Sequence, residues 1–212
     1  MLNKNGLGFG GQENNMDAAE HAAKMYNQGI EHFSHQEYQK AIECWEETLR
    51  GEADNFRALV YLGMAYFQLK EYELAISYYE KAIAINPSYS KAFNNLGNVF
   101  RKQGALQKAV EAYQKAIGLA PDNATYHYNL GITYYDLIEY QNAIQSYLKV
   151  LSIEPQNHEV RRDLALAYYR NKNYEDAIAC LEEYLRLCPN SVNQAQIRAQ
   201  IQHIKQPAIE IR

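Results

Sequence analysis

Residues 90–123 read SKAFNNLGNVFRKQGALQKAVEAYQKAIGLAPDN. Phe93, Leu96, Val99 and Phe100 fall three and four apart, the spacing of one helix face. Gly104 predicts the stop of that helix. Leu106, Ala109, Val110, Tyr113, Ala116 and Ile117 restart the pattern. Pro121 closes it, because proline cannot continue a helix. The stretch therefore predicts two helices joined by a short turn. Asn94, Asn95 and Asn98 stand out in it, since asparagine is a mediocre helix former that favours turns and caps.

The same unit recurs on both sides with a period of 34. Gly29, Gly63, Gly97 and Gly131 keep that step, and Ala165 takes the next slot. Ala41, Ala75, Ala109, Ala143 and Ala177 keep it, as do Pro87, Pro121, Pro155 and Pro189. Tyr79, Tyr113 and Tyr147 form a further series, with Trp45 before it and Leu181 after. Small residues at positions 8 and 20 let two antiparallel helices approach closely. Large ones at positions 7, 11 and 24 fill the space around the contact.

Composition narrows the classes of function. The chain has 212 residues, 47% hydrophobic and 22% charged, with net charge −4. That charge gives no electrostatic reason to expect nucleic acid. No apolar run approaches a membrane span, and the N-terminus shows no apolar leader. Cys44, Cys180 and Cys188 are an odd number, which predicts no disulfide framework and a cytoplasmic setting.

The repeat resembles the tetratricopeptide repeat (TPR) family. The resemblance covers residues 22–191 as five units: 22–55, 56–89, 90–123, 124–157 and 158–191. It implies an all-α, right-handed superhelical solenoid of five helical hairpins whose first helices line a concave groove. Around the units, residues 1–15 read as a flexible Gly- and Asn-rich tail, with Met16 an alternative start and 16–191 the repeat region. Residues 192–205 read as a capping helix covering the last unit through Val192, Ala195, Ala199 and Ile201, and 206–212 as a tail.

In a first helix, positions 2, 5, 6, 9, 12 and 13 lie opposite the core. Position 6 reads Asn27, Tyr61, Asn95, Asn129 and Asp163. An amide both donates and accepts, so it can hold the N–H and C=O of an extended peptide whatever its side chains. Some TPR proteins grip peptides with asparagines at this slot, including the arm of O-linked N-acetylglucosamine transferase; Asn27, Asn95 and Asn129 are similar, and Tyr61 interrupts the run. The family's carboxylate clamp is matched only by Asn98 and Asn129. Asn94, Glu159 and Asp163 replace its cations, so a standard clamp is not expected.

The expected groove carries Tyr26, Ile30, Phe33, Val60, Tyr61, Met64 and Phe67 at one end. Lys91, Asn94, Asn95, Asn98, Arg101 and Lys102 follow, and then Tyr128, Asn129, Tyr135, Arg162, Asp163, Tyr169 and Arg170. Arg57, Lys91, Arg101, Lys102, Arg162 and Arg170 outweigh Asp136, Glu159 and Asp163, a net of about +3 that favours an acidic partner segment. Tyr66, Tyr134 and Tyr168 are core by slot.

Chemistry is not legible. His32 and His35 lack a third ligand. The glycine-rich run at 6–11 follows no strand and precedes no Lys-Ser/Thr. No catalytic residue, metal ligand or cofactor is expected. The expected function is a non-enzymatic interaction scaffold holding a peptide segment of another protein. The alternative is a self-associating TPR scaffold of a bacterial organelle, secretion or other multiprotein complex.

Overall fold

The computed structural model describes residues 10–190 and 192–206, with side chains from residue 18 onward. These residues form eleven helices and no strand. The chain divides into two compact units, residues 1–99 and 100–212.

The first unit holds α1 (Gly10–Ser34), α2 (Tyr38–Gly51), α3 (Phe56–Gln68), α4 (Tyr72–Ile85) and the first ten residues of α5 (Ser90–Lys102). α1 packs on α2 and α3 on α4, with α2 against α3. Ala41, Ile42, Trp45, Ala58, Leu62 and Ala65 form the buried centre. α1 starts at Gly10, inside the stretch expected as a tail. Helix-forming Met16, Ala18, Ala19, Glu20 and Ala22 favour carrying the helix N-terminally from the packed segment. Residues 1–9 lie outside the described residues.

The second unit holds the end of α5 with α6 (Leu106–Leu119), α7 (Ala124–Asp136), α8 (Tyr140–Ile153), α9 (His158–Arg170), α10 (Tyr174–Leu187) and α11 (Gln194–Lys205). α7 pairs with α8 and α9 with α10, while α6 packs on α7 and α11 on α10. The cap forms as expected, but through Ile197, Ile201 and Ile204. Val192 is fully exposed, and Ala195 and Ala199 face water. The isoleucines fall four and three apart, so they define the apolar stripe. Of the C-terminal tail, residues 207–212 lie outside the described residues.

The periodic small residues act as the spacing predicts. Ala41, Ala75, Ala109, Ala143 and Ala177 are each completely buried. A Cβ placed on Gly63 would lie 2.6 Å from Tyr79 Cε1, and one on Gly131 2.6 Å from Tyr147 Cε1. Gly29 stands in the same way against Trp45. An aromatic ring at position 24 thus lies flat on the backbone of position 8. Where position 24 is Leu181, position 8 admits Ala165, and both are buried.

Every first helix ends the same way, although only one ends on glycine. Gln36, Lys70, Gly104, Ile138 and Lys172, all at position 15, adopt positive φ. In each turn two backbone bonds close the end, as in Lys70 N–H to Phe67 C=O at 3.0 Å and Glu71 N–H to Tyr66 C=O at 2.9 Å. This is the Schellman arrangement, which satisfies the last carbonyls of the helix. Position 11 supplies the outermost of those carbonyls, and its rings, Tyr66, Tyr134 and Tyr168, are half-buried against the cores rather than fully within them.

Candidate functional site

The face of each first helix that bears position 6 is built from contacts between one repeat and the next. Position 5 of one first helix meets position 6 of the following one. Tyr26 stands edge-on to Tyr61 at 5.7 Å. Tyr128 donates its hydroxyl proton to Asp163 Oδ2 at 2.7 Å. Position 12 meets position 13 in the same way: Arg101 pairs with Asp136 at 3.8 Å, and Arg170 Nε donates to the Tyr135 hydroxyl at 3.2 Å. The two breaks in the amide run, Tyr61 and Asp163, are therefore members of inter-repeat pairs.

In the first unit, Tyr61 also stacks on Trp45 at 5.1 Å, and Trp45 Nε1 donates to the Tyr26 carbonyl at 3.2 Å. Burial, with Tyr61 close by, pushes the Tyr26 hydroxyl up to about 12. Val60 and Asn94, both expected on the open face, are instead buried. The short side chains at these two position 5 slots stay covered, whereas Tyr26 and Tyr128 are half-buried. Asn94 Nδ2 donates to Asn95 Oδ1 at 3.4 Å. Asn95 is half-buried beside Tyr79, whose hydroxyl is pushed up by burial and drawn part of the way back by Asn95. The Asn95 Nδ2 nonetheless meets no partner in hydrogen-bond geometry, and the atom is covered from solvent.

Met64, Phe67, Gln68, Tyr79, Asn95 and Asn98 line a hollow of about 150 Å³. Tyr79 and Gln68 were not expected there. Tyr79 occupies a core slot, and only its hydroxyl distinguishes it from a ring that ends in the core. Asn27 on α1 and Lys91 on α5 are exposed.

In the second unit, the expected residues are more heavily engaged with one another. Burial, reinforced by the hydrogen bond to Asp163, pushes the Tyr128 hydroxyl up to about 12. Arg162 lies 3.8 Å from Asp163. Asn129 is half-buried, and its backbone carbonyl accepts from Thr133 Oγ1 at 2.7 Å. Tyr135 and Tyr169 rest on Tyr140 and Tyr174, the rings that open the following helices, at 5.3 and 5.7 Å. Phe33 with Tyr38 and Phe67 with Tyr72 repeat that pair in the first unit. Six of the 19 tyrosines are thereby accounted for as members of turn-spanning ring pairs. Repeat three differs: Arg101 stands where the ring would be, touching the Tyr113 hydroxyl. Lys102 is exposed. Among the described residues, Arg57, Lys91 and Lys102 meet no carboxylate, and Arg57 lies over the Phe56 ring at 5.8 Å.

No curated protein matches the chain by sequence. Among solved structures it resembles the MamA protein, with 24% identity over 84% of this chain and 95% of that one and a TM-score of 0.72. A MamA fragment from Desulfovibrio magneticus RS-1 shows 19% identity over 81% of this chain and 97% of that one, with a TM-score of 0.73. YrrB, described as a TPR protein with an unusual peptide-binding site, shows 18% identity over 89% and 97%, with a TM-score of 0.70. Sequence models of the tetratricopeptide repeat match residues 26–90, 78–111 and 139–202, and a TPR repeat model matches 97–137. With these matches running from 26 to 202 and the all-α hairpin fold shared with solved TPR structures, the chain belongs to the tetratricopeptide repeat family.

Proposed function

We propose that this chain is a non-enzymatic scaffold that holds an extended segment of another protein on the first-helix face. The observation that carries this reading is the hollow on this face, where the amides of Gln68, Asn95 and Asn98 stand beside Met64, Phe67 and Tyr79. Amides both donate and accept, so they suit the N–H and C=O of an extended segment. The exposed cations Arg57, Lys91 and Lys102 favour a segment that carries acidic residues. The peptide-binding site described for YrrB, which shares the fold, supports the same reading. The three cysteines, all free thiols, fit a cytoplasmic setting.

The test is a pull-down and titration with the wild-type chain beside Asn95→Ala/Asn129→Ala. Alanine is the better helix former, so the melting temperature is expected to change little. Partner affinity is expected to fall by about 0.5–1.5 kcal/mol per lost hydrogen bond. Unchanged capture together with a collapsed melt makes the amides structural and overturns the reading. Light scattering at rising concentration distinguishes capture of another chain from self-association.

A further inference from the structure

The hollow of about 150 Å³ in the first unit has a composition that selects its occupant. α3 contributes Met64, Phe67 and Gln68, α4 contributes Tyr79, and α5 contributes Asn95 and Asn98. None of the six carries a charge. Two of the walls are fixed. Tyr79 lies on the backbone of Gly63, and the Phe67 ring packs on Tyr72 at 5.9 Å. Met64 is the adaptable wall, with an unbranched and polarisable side chain. A hollow of this volume accommodates a group the size of one medium side chain. A carboxylate placed there would lose its water without meeting a cation, so an acidic side chain is excluded. The polar groups at the hollow are three amides and the Tyr79 hydroxyl, which suit the N–H and C=O of a main chain rather than a charged head.

We infer that this hollow is the anchor pocket for a single uncharged apolar side chain, of leucine, methionine or phenylalanine size, on the extended partner segment. The inference rests on the proposed peptide-holding function and adds the identity of the anchor. The amides of Asn95, Asn98 and Gln68 hold the main chain on either side of the anchor. Acidic residues of the segment lie outside the hollow, toward Arg57 and Lys91.

The test selects a displayed library of random linear peptides on the full chain, then repeats the selection on Met64→Ala. The wild-type chain is expected to enrich one position in Leu, Met or Phe, with acidic residues excluded from that position. Met64→Ala enlarges the hollow and should move the preference toward Trp and Phe, a change in specificity that loss of stability alone would not produce. Met64→Phe fills the hollow and should weaken a wild-type-selected peptide about tenfold at unchanged melting temperature. Should Met64→Phe fail to fold, Gln68→Trp, at an exposed helix end, covers the mouth and is expected to weaken the same peptide. Enriched peptides without an apolar position, or a preference that Met64→Ala leaves unmoved, overturn the anchor pocket and leave the peptide-holding function standing. A library from which nothing is enriched overturns both.

Discussion

Ile138 adopts φ of 65° and leaves 71% of its surface exposed. A β-branched side chain in the left-handed region crowds its own carbonyl, at about 1–2 kcal/mol. Ile138→Gly removes that crowding and adds some chain entropy to the unfolded state. The net expectation is a gain of about 0.5–1 kcal/mol, read as a melting temperature higher by roughly 1–4 °C. A melt that does not rise would mean that the isoleucine side chain makes a compensating contact. Gly131 behaves in the opposite sense, because a Cβ there meets the Tyr147 ring at 2.6 Å and that ring is buried. Gly131→Ala should cost about 1–3 kcal/mol by overpacking. Adding Tyr147→Leu should recover part of the loss, since Ala165 with Leu181 shows that the smaller pair fits. Urea denaturation of the four chains measures that coupling, and strict additivity would disprove it.

At the level of the element, the first helices end by backbone geometry and the second helices, except α6 with Leu106, begin on aromatic rings. Phe33 on Tyr38, Phe67 on Tyr72, Tyr135 on Tyr140 and Tyr169 on Tyr174 each span one turn. Tilted and edge-to-face ring pairs of this kind contribute about 0.5–1.5 kcal/mol beyond the area they cover. α11 depends on a narrower contact, three isoleucines laid on the end of the array. Ile201→Ala should cost about 2–5 kcal/mol locally. Because repeat arrays couple mainly to nearest neighbours, amide exchange should quicken in α10 and α11 while α3 and α4 keep their protection. Equal loss of protection along the whole chain would contradict that locality.

For the whole molecule, the tyrosines set the alkaline limit. Burial pushes the hydroxyls of Tyr26, Tyr66 and Tyr128 up to about 12, from an ordinary value of 10. A group whose folded value is raised contributes its full stability below the unfolded value and loses it as pH climbs through the folded one. Stability is therefore expected to hold up to pH 10 and to fall between pH 10 and 12. Tyr128→Phe should flatten part of that fall, and an unaltered profile in thermal melts across this window would count against the assignment. Charge acts on encounter rather than on the fold. Lys91→Glu/Lys102→Glu should slow association with an acidic segment, most strongly at low salt, since exposed pairs are each worth only about 0–1 kcal/mol. Identical association rates at low salt would make these cations a solvated face.

The period of 34, the hairpins and their small-residue contacts followed from the sequence alone. Each depends on spacing along one helix or between two helices that are adjacent in the chain, and a fixed period carries that information directly. The isoleucine stripe of α11 is present in the sequence too, and of the four residues expected to cover the last unit only Ile201 belongs to it, because three and four residue spacing among the largest side chains sets the buried face. The face itself was only partly legible. Position 6 was identified from its helix register, but its partners lie 35 residues earlier, in the preceding repeat, as Tyr128 for Asp163 and Tyr26 for Tyr61 show. Whether an amide there is paired, buried or open depends on how one repeat stacks on the next. Stacking buried Asn94 and Val60, drew Tyr79 to the edge of a hollow, and engaged Arg101 with Asp136. The sequence by itself determined the repeat, because local periodicity and steric fit within a hairpin specify it. Only the tertiary structure decided which polar groups on the face find partners, because the pairs meet at a constant offset of 35 residues between successive repeats and whether two side chains bond there depends on their size and orientation in the stack, which the hairpin period does not specify.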